Sequence, residues 1–336
     1  MRPLFQLLSP SGARARLSVL IFHRVLPQPD PLFPDEIDAA RFDAILGWLR
    51  SWFNVLPLDE AAQRLKDGSL PARAAALSFD DGYADNHDIA LPLLQKHGLP
   101  CSFFIATGFL DGGRMWNDTL IESIRLSTKP LLDLRGLEDC RGDDLGRHAL
   151  GDVASRRAAL KRLIERVKYL APASRLACVA AIAERAEVHP PDDLMMSSEQ
   201  VRGLRRAGMQ IGAHTVNHPI LATLDASEAA DEMARSREAL QTLLGERVGL
   251  FAYPNGKPGL DYLPGVHPQL VKELGFDAAV STQSGASRQG DDVFQIRRFT
   301  PWDRSRWKFS LRLAHTLYQD ARHDSRLAWA RTVDEK

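Results

Sequence analysis

The stretch AAALSFDDGYADN, residues 74–86, decides how the rest of the chain is read. It opens on small and apolar residues, the composition of a strand buried on both faces. The run then ends in two adjacent carboxylates, Asp80 and Asp81, followed by Gly82. Neighbouring side chains on a strand point to opposite faces. Two adjacent aspartates can therefore serve one site only where the strand stops, and Gly82 lets the backbone turn there. Two like charges at the mouth of a core repel, and one takes up a proton unless a cation is present. A divalent metal would balance them, and the sequence offers its other ligands.

Those ligands lie in GAHTVNHPIL, residues 212–221, where His214 and His218 are four apart. On a helical turn that spacing puts both imidazoles on one face, as in other zinc sites of the H-x-x-x-H form. Pro219 disfavours the helical conformation at His218, so the pattern predicts a single turn at a strand end. Two histidines and one carboxylate leave a coordination position open for water, the catalytic arrangement rather than the structural one. Such a water has its pKa lowered towards about 7, and the second aspartate is free to act as the base that takes its proton.

Outward from these motifs, apolar strand-like runs alternate with helical spacing. LSVLIF (17–22) runs straight into His23, and Phe42, Ile45, Leu46 and Leu49 mark a helix. NVLPL is a short strand, Asp59 an N-cap for EAAQRLKD, and Gly98 closes a helix over about 87–97. CSFFIAT, MQIGAHT, VGLFAYP, DAAVST and VFQIRRF read as further strands, with Ser197 or Ser198 capping the helix before MQIGAHT. This alternation argues for a parallel sheet with helical crossovers. It is interrupted over about 120–195, where no strand is apparent and a helical insertion, a lid or a partner surface, is expected. About 304–336 reads as a helical tail. The fold class is α/β, a distorted (β/α)7–8 barrel in a single domain spanning 1–336. In such barrels the active face is built where strands end, and His23, Asp80, Asp81, His214, Pro254, Asn255, Arg297 and Arg298 all fall at predicted strand ends.

The 43 basic and 43 acidic side chains cancel, giving no electrostatic reason to expect nucleic acid or an anionic membrane. Cys101, Cys140 and Cys178 form no C-x-x-C pair, so neither a disulfide framework nor a thiolate zinc site is expected. A reduced, cytoplasmic setting fits that pattern. The apolar run near the N-terminus is broken by Pro10, Gly12, Arg14 and Arg16 before it reaches signal-peptide length. No segment approaches the roughly 18 apolar residues of a membrane span. Peripheral membrane docking through Leu4, Phe5, Leu7 and Leu8 stays open.

SFDDGYADN, AHTVNHPIL and FAYPNG, in that order, resemble the polysaccharide deacetylases of the NodB-homology type, carbohydrate esterase family four. The resemblance covers about residues 18–300. It implies a distorted (β/α) barrel that removes acetyl groups from N-acetylated sugars with one divalent ion, often zinc, with cobalt or nickel as alternatives. It also implies Asp80 as the base, with Asp81, His214 and His218 as metal ligands. The family's usual R-x-P-Y appears here as AYPN, with Ala252 in place of arginine and Asn255 in place of the aromatic. The backbone N–H that helps hold the oxyanion survives at Asn255; the arginine that pairs with the catalytic aspartate does not. Arg298 or Arg297 could supply that charge. The late L-x-H motif carrying the catalytic acid is also missing, since His315 and His323 lie in a helical segment. VLIFHRV near the N-terminus looks like that motif moved to the front. This order resembles a circularly permuted, exopolysaccharide-modifying branch, with His23 as the acid.

Tyr83, Tyr253 and Pro254 are candidate substrate contacts. In GGRMWNDTLIE, Trp116 could stack on a sugar ring while Asn117 and Asp118 bind hydroxyls or cap a helix. The reading is a metal-dependent deacetylase of an N-acetylated polysaccharide, glycan or glycan precursor. Its rivals are an O-acetyl esterase, a non-sugar amidohydrolase, and a non-catalytic glycan-binding barrel.

Overall fold

The computed structural model describes residues 1–137, 140 and 145–319. Seven parallel strands form a closed ring: β1 (Arg16–Phe22), β2 (Ala74–Phe79), β3 (Ser102–Ile105), β4 (Gln210–Ala213), β5 (Leu250–Ala252), β6 (Ala278–Ser284) and β7 (Ile296–Phe299). They pair in chain order, and the ring closes because β1 lies between β2 and β7. Its registers run from Leu17 opposite Ala74 to Phe22 opposite Phe79, and place Val19 opposite Arg298. The expected seven-to-eight-unit barrel is thus a ring of seven, and β6 and β7 shift register between Ile296 and Arg298. Asn54–Val55 pairs with β2 from outside the ring.

Alternation along β2 explains how the ring is filled. Ala74 and Ala76 pack with Leu17, Val19, Phe104, Val280 and Ile296. Ala75, Leu77 and Phe79 pack instead with Phe42, Ile45 and Leu49 of the Ala39–Trp52 helix. The helix side is the outside of the ring, so the first set fills the inside. On the outer side Phe22, Phe79 and Phe103 stack in sequence at 5.2 Å, with Phe42 edge-on to the first two. Such pairs contribute about 0.5–1.5 kcal/mol each beyond their buried area.

The crossover helices start where side chains can satisfy their first N–H groups. Asp38 caps Ala39–Trp52, Ser197 (not Ser198) forms a capping box with Gln200, and Asp225 forms one with Glu228 ahead of Ala226–Leu244. Asp59 is not a cap: the helix begins at Leu58, whose N–H donates to Gln210 Oε1. Phe5 is fully buried against Trp52 and Phe53, whereas Leu7 is 78 % exposed. The apolar run at 4–8 is therefore not one docking face, because one of its side chains belongs to the core. Among the described residues no helix is long and apolar enough to cross a membrane.

The chain divides into two compact units, one of residues 1–28, 36–110 and 196–336 that contains the barrel, the other of residues 29–35 and 111–195. The second has its own core around Leu120, Ile124, Leu160, Leu163, Val179 and Ile182. Among the described residues it holds the α-helices Trp116–Leu126, Val153–Val167 and Pro172–Ala186, but it is not purely helical: Leu131–Asp133 and Arg147–Ala149 form an antiparallel ribbon. Segments of three residues are too short for alternation to register. The expectation of unpaired cysteines is also overturned, since Cys140 and Cys178 are joined with their Cα atoms 4.9 Å apart. Residues 38 apart in sequence carry no local pairing signal. Disulfides persist in oxidising compartments, so the argument for a reduced setting loses its basis.

Candidate active site

The motif-bearing strand ends meet at one end of the barrel. Past β2, the Asp80 N–H donates to Phe22 O of β1 (3.0 Å), and past β3 the Ala106 N–H donates to Asp81 O (3.2 Å). The backbone then reverses through φ 78° at Asp81 and 92° at Gly82. A side chain at position 82 would meet Ile105 Cγ2 at 3.3 Å, so glycine suits both the angle and the space. This reversal is what brings two successive carboxylates into one site.

Asp80 lies on the inward face of β2 and Arg298 on the inward face of β7. Their side chains form a bidentate pair, Nη1 to Oδ1 and Nη2 to Oδ2, both 2.7 Å. Arg298 also donates from Nε to Ser281 O (2.8 Å) and from Nη1 to Ser78 Oγ (3.3 Å). Both charged residues are almost wholly buried, Asp80 at 2 % and Arg298 at 1 % exposure. Of the two arginines expected as candidates, only Arg298 can do this: Arg297 is one residue away on a strand and faces outward.

Asp81, His214 and His218 each present a ligating atom, all within 4.8 Å of one another. Both histidine Nε2 atoms lie 3.4 Å from Asp81 Oδ1. A tetrahedral zinc ion with bonds of about 2.0–2.1 Å separates its donors by roughly 3.3–3.4 Å, so this spacing fits such an ion. The His214 N–H donates to Ile105 O (3.0 Å), and its ring Nδ1 meets Ala252 O at 2.8 Å. A carbonyl can only accept, so Nδ1 carries the proton and Nε2 keeps its lone pair for the site. The His214–His218 link is not a helical turn, because Thr215 and His218 take left-handed φ values of 65° and 51°. Among the described residues, four of the seven non-glycine positions with positive φ are Asp81, Thr215, His218 and Asn255. Each costs of order 1–3 kcal/mol, and their concentration in the motifs marks the site as the place where the fold holds strain.

The surroundings bias the protonation states, and in the absence of an ion the Asp81 and Asp80 carboxylates draw the His214 imidazole towards protonation against its burial. Burial pushes the Asp80 carboxyl up, but Arg298, then His214, then the hydrogen bonds from Arg298 outweigh it and hold Asp80 below the usual carboxylate range. Asp81 is likewise held low, because the surrounding histidines His214, His218 and His23 outweigh its burial. Burial lowers His218 to about 4 despite the opposing pull of Asp81, with His214 adding to the fall. An imidazole that stays neutral is one that can ligate.

The remaining expected residues divide. Asn255 sits left-handed (φ 58°), a conformation asparagine tolerates better than an aromatic side chain. Its carbonyl accepts from Thr282 Oγ1 (2.7 Å), and among the described residues nothing accepts from its N–H. His23 is exposed just past β1, and its carbonyl accepts from Asn86 Nδ2 (2.8 Å), which ties it to the turn that follows Asp80 and Asp81. Tyr83 is 5 % exposed under the Arg24 guanidinium, 4.6 Å from its ring centroid. Tyr253 is a core residue rather than a substrate contact, stacked on Tyr262 at 4.0 Å with its hydroxyl donating to Phe294 O (2.9 Å). Pro254 is buried beside it. Trp116 packs on the core of the second unit under the Arg175 guanidinium, and Asp118 in the same helix is buried. The helix cap there is Met115, not Asn117 or Asp118, because the helix already begins at Trp116. His315 is exposed in the 306–319 helix, and His323 lies outside the described residues.

Several contributors were not picked out from the sequence as site residues. Asp85 accepts from Arg24 Nε (2.7 Å) and Val25 N–H (3.2 Å), while Asn86 Nδ2 donates to His23 O (2.8 Å). Together they fasten the His23 loop to the turn that follows Gly82. Ser78 and Ser281 brace Arg298, the first through its hydroxyl and the second through its carbonyl.

A polysaccharide deacetylase family profile matches residues 67–125 and 166–279. The chain belongs to the polysaccharide deacetylase family. Its members are hydrolases acting on carbon–nitrogen bonds other than peptide bonds. The matched segments contain Asp80, Asp81, His214, His218 and Asn255, whereas His23 and Arg298 fall outside them. The Bacillus subtilis protein YxkH is 19 % identical over 287 residues, covering 84 % of this chain and 71 % of that one. The fold is shared with IcaB from Ammonifex degensii at a TM-score of 0.58 and 20 % identity, over 92 % of this chain and 98 % of the other. It is also shared with the Streptococcus pyogenes deacetylase PplD, solved with acetate, at a TM-score of 0.55 and 17 % identity, over 85 % and 92 %.

Proposed function

We propose that the chain removes acetyl groups from an N-acetylated glycan or glycan precursor, with a divalent ion, zinc before cobalt or nickel, held by Asp81, His214 and His218. The observation that carries this reading is the placement of that ligand set beside a second, separately paired carboxylate, Asp80. A binding barrel would need no such base. The ion supplies Lewis acidity, polarising a carbonyl and acidifying water. Arg298 occupies one lone-pair direction on each Asp80 oxygen and leaves the others open, since a carboxylate has about four. Asp80 is thus kept ionised and oriented to take a proton from an attacking water. The Asn255 N–H is poised to donate to the oxygen that gains charge as the acetyl carbonyl is attacked. His23 delivers the proton that the departing amine nitrogen requires. The acetate bound to PplD is the product such a reaction would release, which supports the same chemistry here. The second unit is proposed to elaborate this one catalytic domain and not to carry an activity of its own.

Acetate release from a panel of N-acetylated sugar oligomers, with and without a chelator, tests the reading. It predicts release that the chelator abolishes and added zinc, cobalt or nickel restores. Release that survives complete metal removal, or acetate only from O-acetyl esters, would contradict it.

A further inference from the structure

His214 and His218 are joined by Thr215, Val216 and Asn217, and the backbone is left-handed at both Thr215 and His218. Such a link needs its surroundings to hold it. On one side the Thr107 N–H donates to Thr215 O (3.1 Å) and the Gly108 N–H to Val216 O (2.9 Å). A Cβ at position 108 would lie 2.7 Å from Val216 O, so the close approach requires glycine there. Within the link, the His218 N–H donates to Thr215 Oγ1 (3.1 Å). The Val216 and Asn217 N–H groups turn to Glu232, in the Ala226–Leu244 helix. Its Oε2 accepts from the Val216 N–H (2.9 Å) and the Asn217 N–H (2.8 Å), and its Oε1 accepts from Asn217 Nδ2 (2.7 Å). Two successive backbone N–H groups form the kind of concavity that takes an anion, and here the anion is a side chain of the protein. Hydrogen bonds to an ionised acceptor are roughly twice as strong as neutral ones.

His214 is fixed independently, by Ile105 O through its backbone and by Ala252 O through its ring. His218 lies beyond the end of β4, and the link between them sets where its ring can go. We propose that Glu232 is a positioning residue for the metal centre: it clamps the Val216–Asn217 backbone so that His218 Nε2 stays at ligating distance opposite His214. The inference rests on the reading of Asp81, His214 and His218 as ligands of one ion. Glu232 touches neither ion nor substrate in this scheme, and it acts through His218. Its partners lie about 15 residues away in sequence, which is why no motif announces it.

Wild type, Glu232→Ala and Glu232→Gln, each stripped of metal, would be compared by zinc affinity in chelator competition. The visible spectrum of bound cobalt and the melting temperature of the apo protein would be read alongside. Loss of an outer partner typically weakens metal binding about 10- to 100-fold. That loss is expected for Glu232→Ala, with an altered cobalt spectrum. Glu232→Gln retains an oxygen for the two N–H groups and should show a smaller but measurable loss, about two- to tenfold, as a neutral acceptor is the weaker one. A helix-packing role alone would lower the apo melting temperature and leave affinity and spectrum untouched, and that result overturns the proposal. Should Glu232→Ala fail to fold, an unchanged zinc affinity in Glu232→Gln overturns it equally. Wild type that binds no zinc removes the ligand reading itself and this proposal with it. Zinc held equally by all three proteins removes only the role of Glu232.

Discussion

The barrel and the unit formed by residues 29–35 and 111–195 reach order by different means. In the barrel, seven strands close a ring of backbone hydrogen bonds, and that ring supports a buried ion pair and the left-handed positions of its motifs. The second unit has one ribbon of two three-residue strands, and a disulfide joins its helix Pro172–Ala186 to Cys140. Strain and buried charge persist where surrounding structure over-determines them. A small unit without a large sheet relies more on covalent restraint of its unfolded chain. The one cluster of three potential metal ligands among the described residues lies in the barrel.

The largest effect should come from breaking the ion pair at the heart of that contrast. Arg298→Met leaves Asp80 buried without its partner, and removing one side of a buried pair costs about 3–5 kcal/mol. Urea unfolding would measure it. The variant also tests the pH dependence. The folded pKa of Asp80 lies below its unfolded value, so its pairing stabilises the protein above about pH 4. That contribution fades as pH falls through the lower folded pKa. With Arg298 gone, burial dominates and raises the Asp80 pKa, so the acidic limb of kcat/KM should move to higher pH. A limb that stays in place would mean that Asp80 is not the base.

His23→Ala should keep fold and metal but lower kcat on an amide substrate by about 10²- to 10⁴-fold. The loss should be smaller on an activated acetyl ester, whose leaving group needs little protonation. Equal losses on both substrates would make His23 structural.

On the other side of the comparison, Cys140→Ser should cost about 2–4 kcal/mol. Hydrogen exchange should show protection falling within 111–195 while β1–β7 keep theirs. Loss of protection spread evenly over both units would remove the distinction drawn above. The smallest effect is expected from Tyr253→Phe, about 1 kcal/mol for the lost hydrogen bond to Phe294 O, with kcat and KM unchanged. A raised KM would return Tyr253 to the substrate site.

What could be read beforehand follows from the range of each signal. Asp80, Asp81 and Gly82 are adjacent, and His214 and His218 are four apart, so their chemistry is visible in a short window. Arg298 was legible only as one of two arginines. The inward face of β7, shared with Ile296, chooses between them, and that choice needs the strand's register. Glu232 acts on backbone groups elsewhere in the chain and presents no pattern of residue types, and Asp85 and Asn86, although inside SFDDGYADN, act on Arg24, Val25 and His23, 60–63 residues away. Tyr253 misled because it adjoins Pro254 and Asn255, while its ring packs on Tyr262 in the core. The Cys140–Cys178 bond and the three-residue strands escaped for the same reason: their partners are distant or their length too short for periodicity to register.

The central claim is that two adjacent aspartates do different work, one holding an ion and one moving a proton. The most direct test is zinc stoichiometry and acetate release measured side by side for Asp80→Asn and Asp81→Asn. The account predicts that Asp80→Asn retains one zinc per chain and loses turnover by about 10²- to 10⁴-fold, whereas Asp81→Asn loses the zinc itself. Equal zinc loss in both variants, or full zinc occupancy in Asp81→Asn, would contradict it.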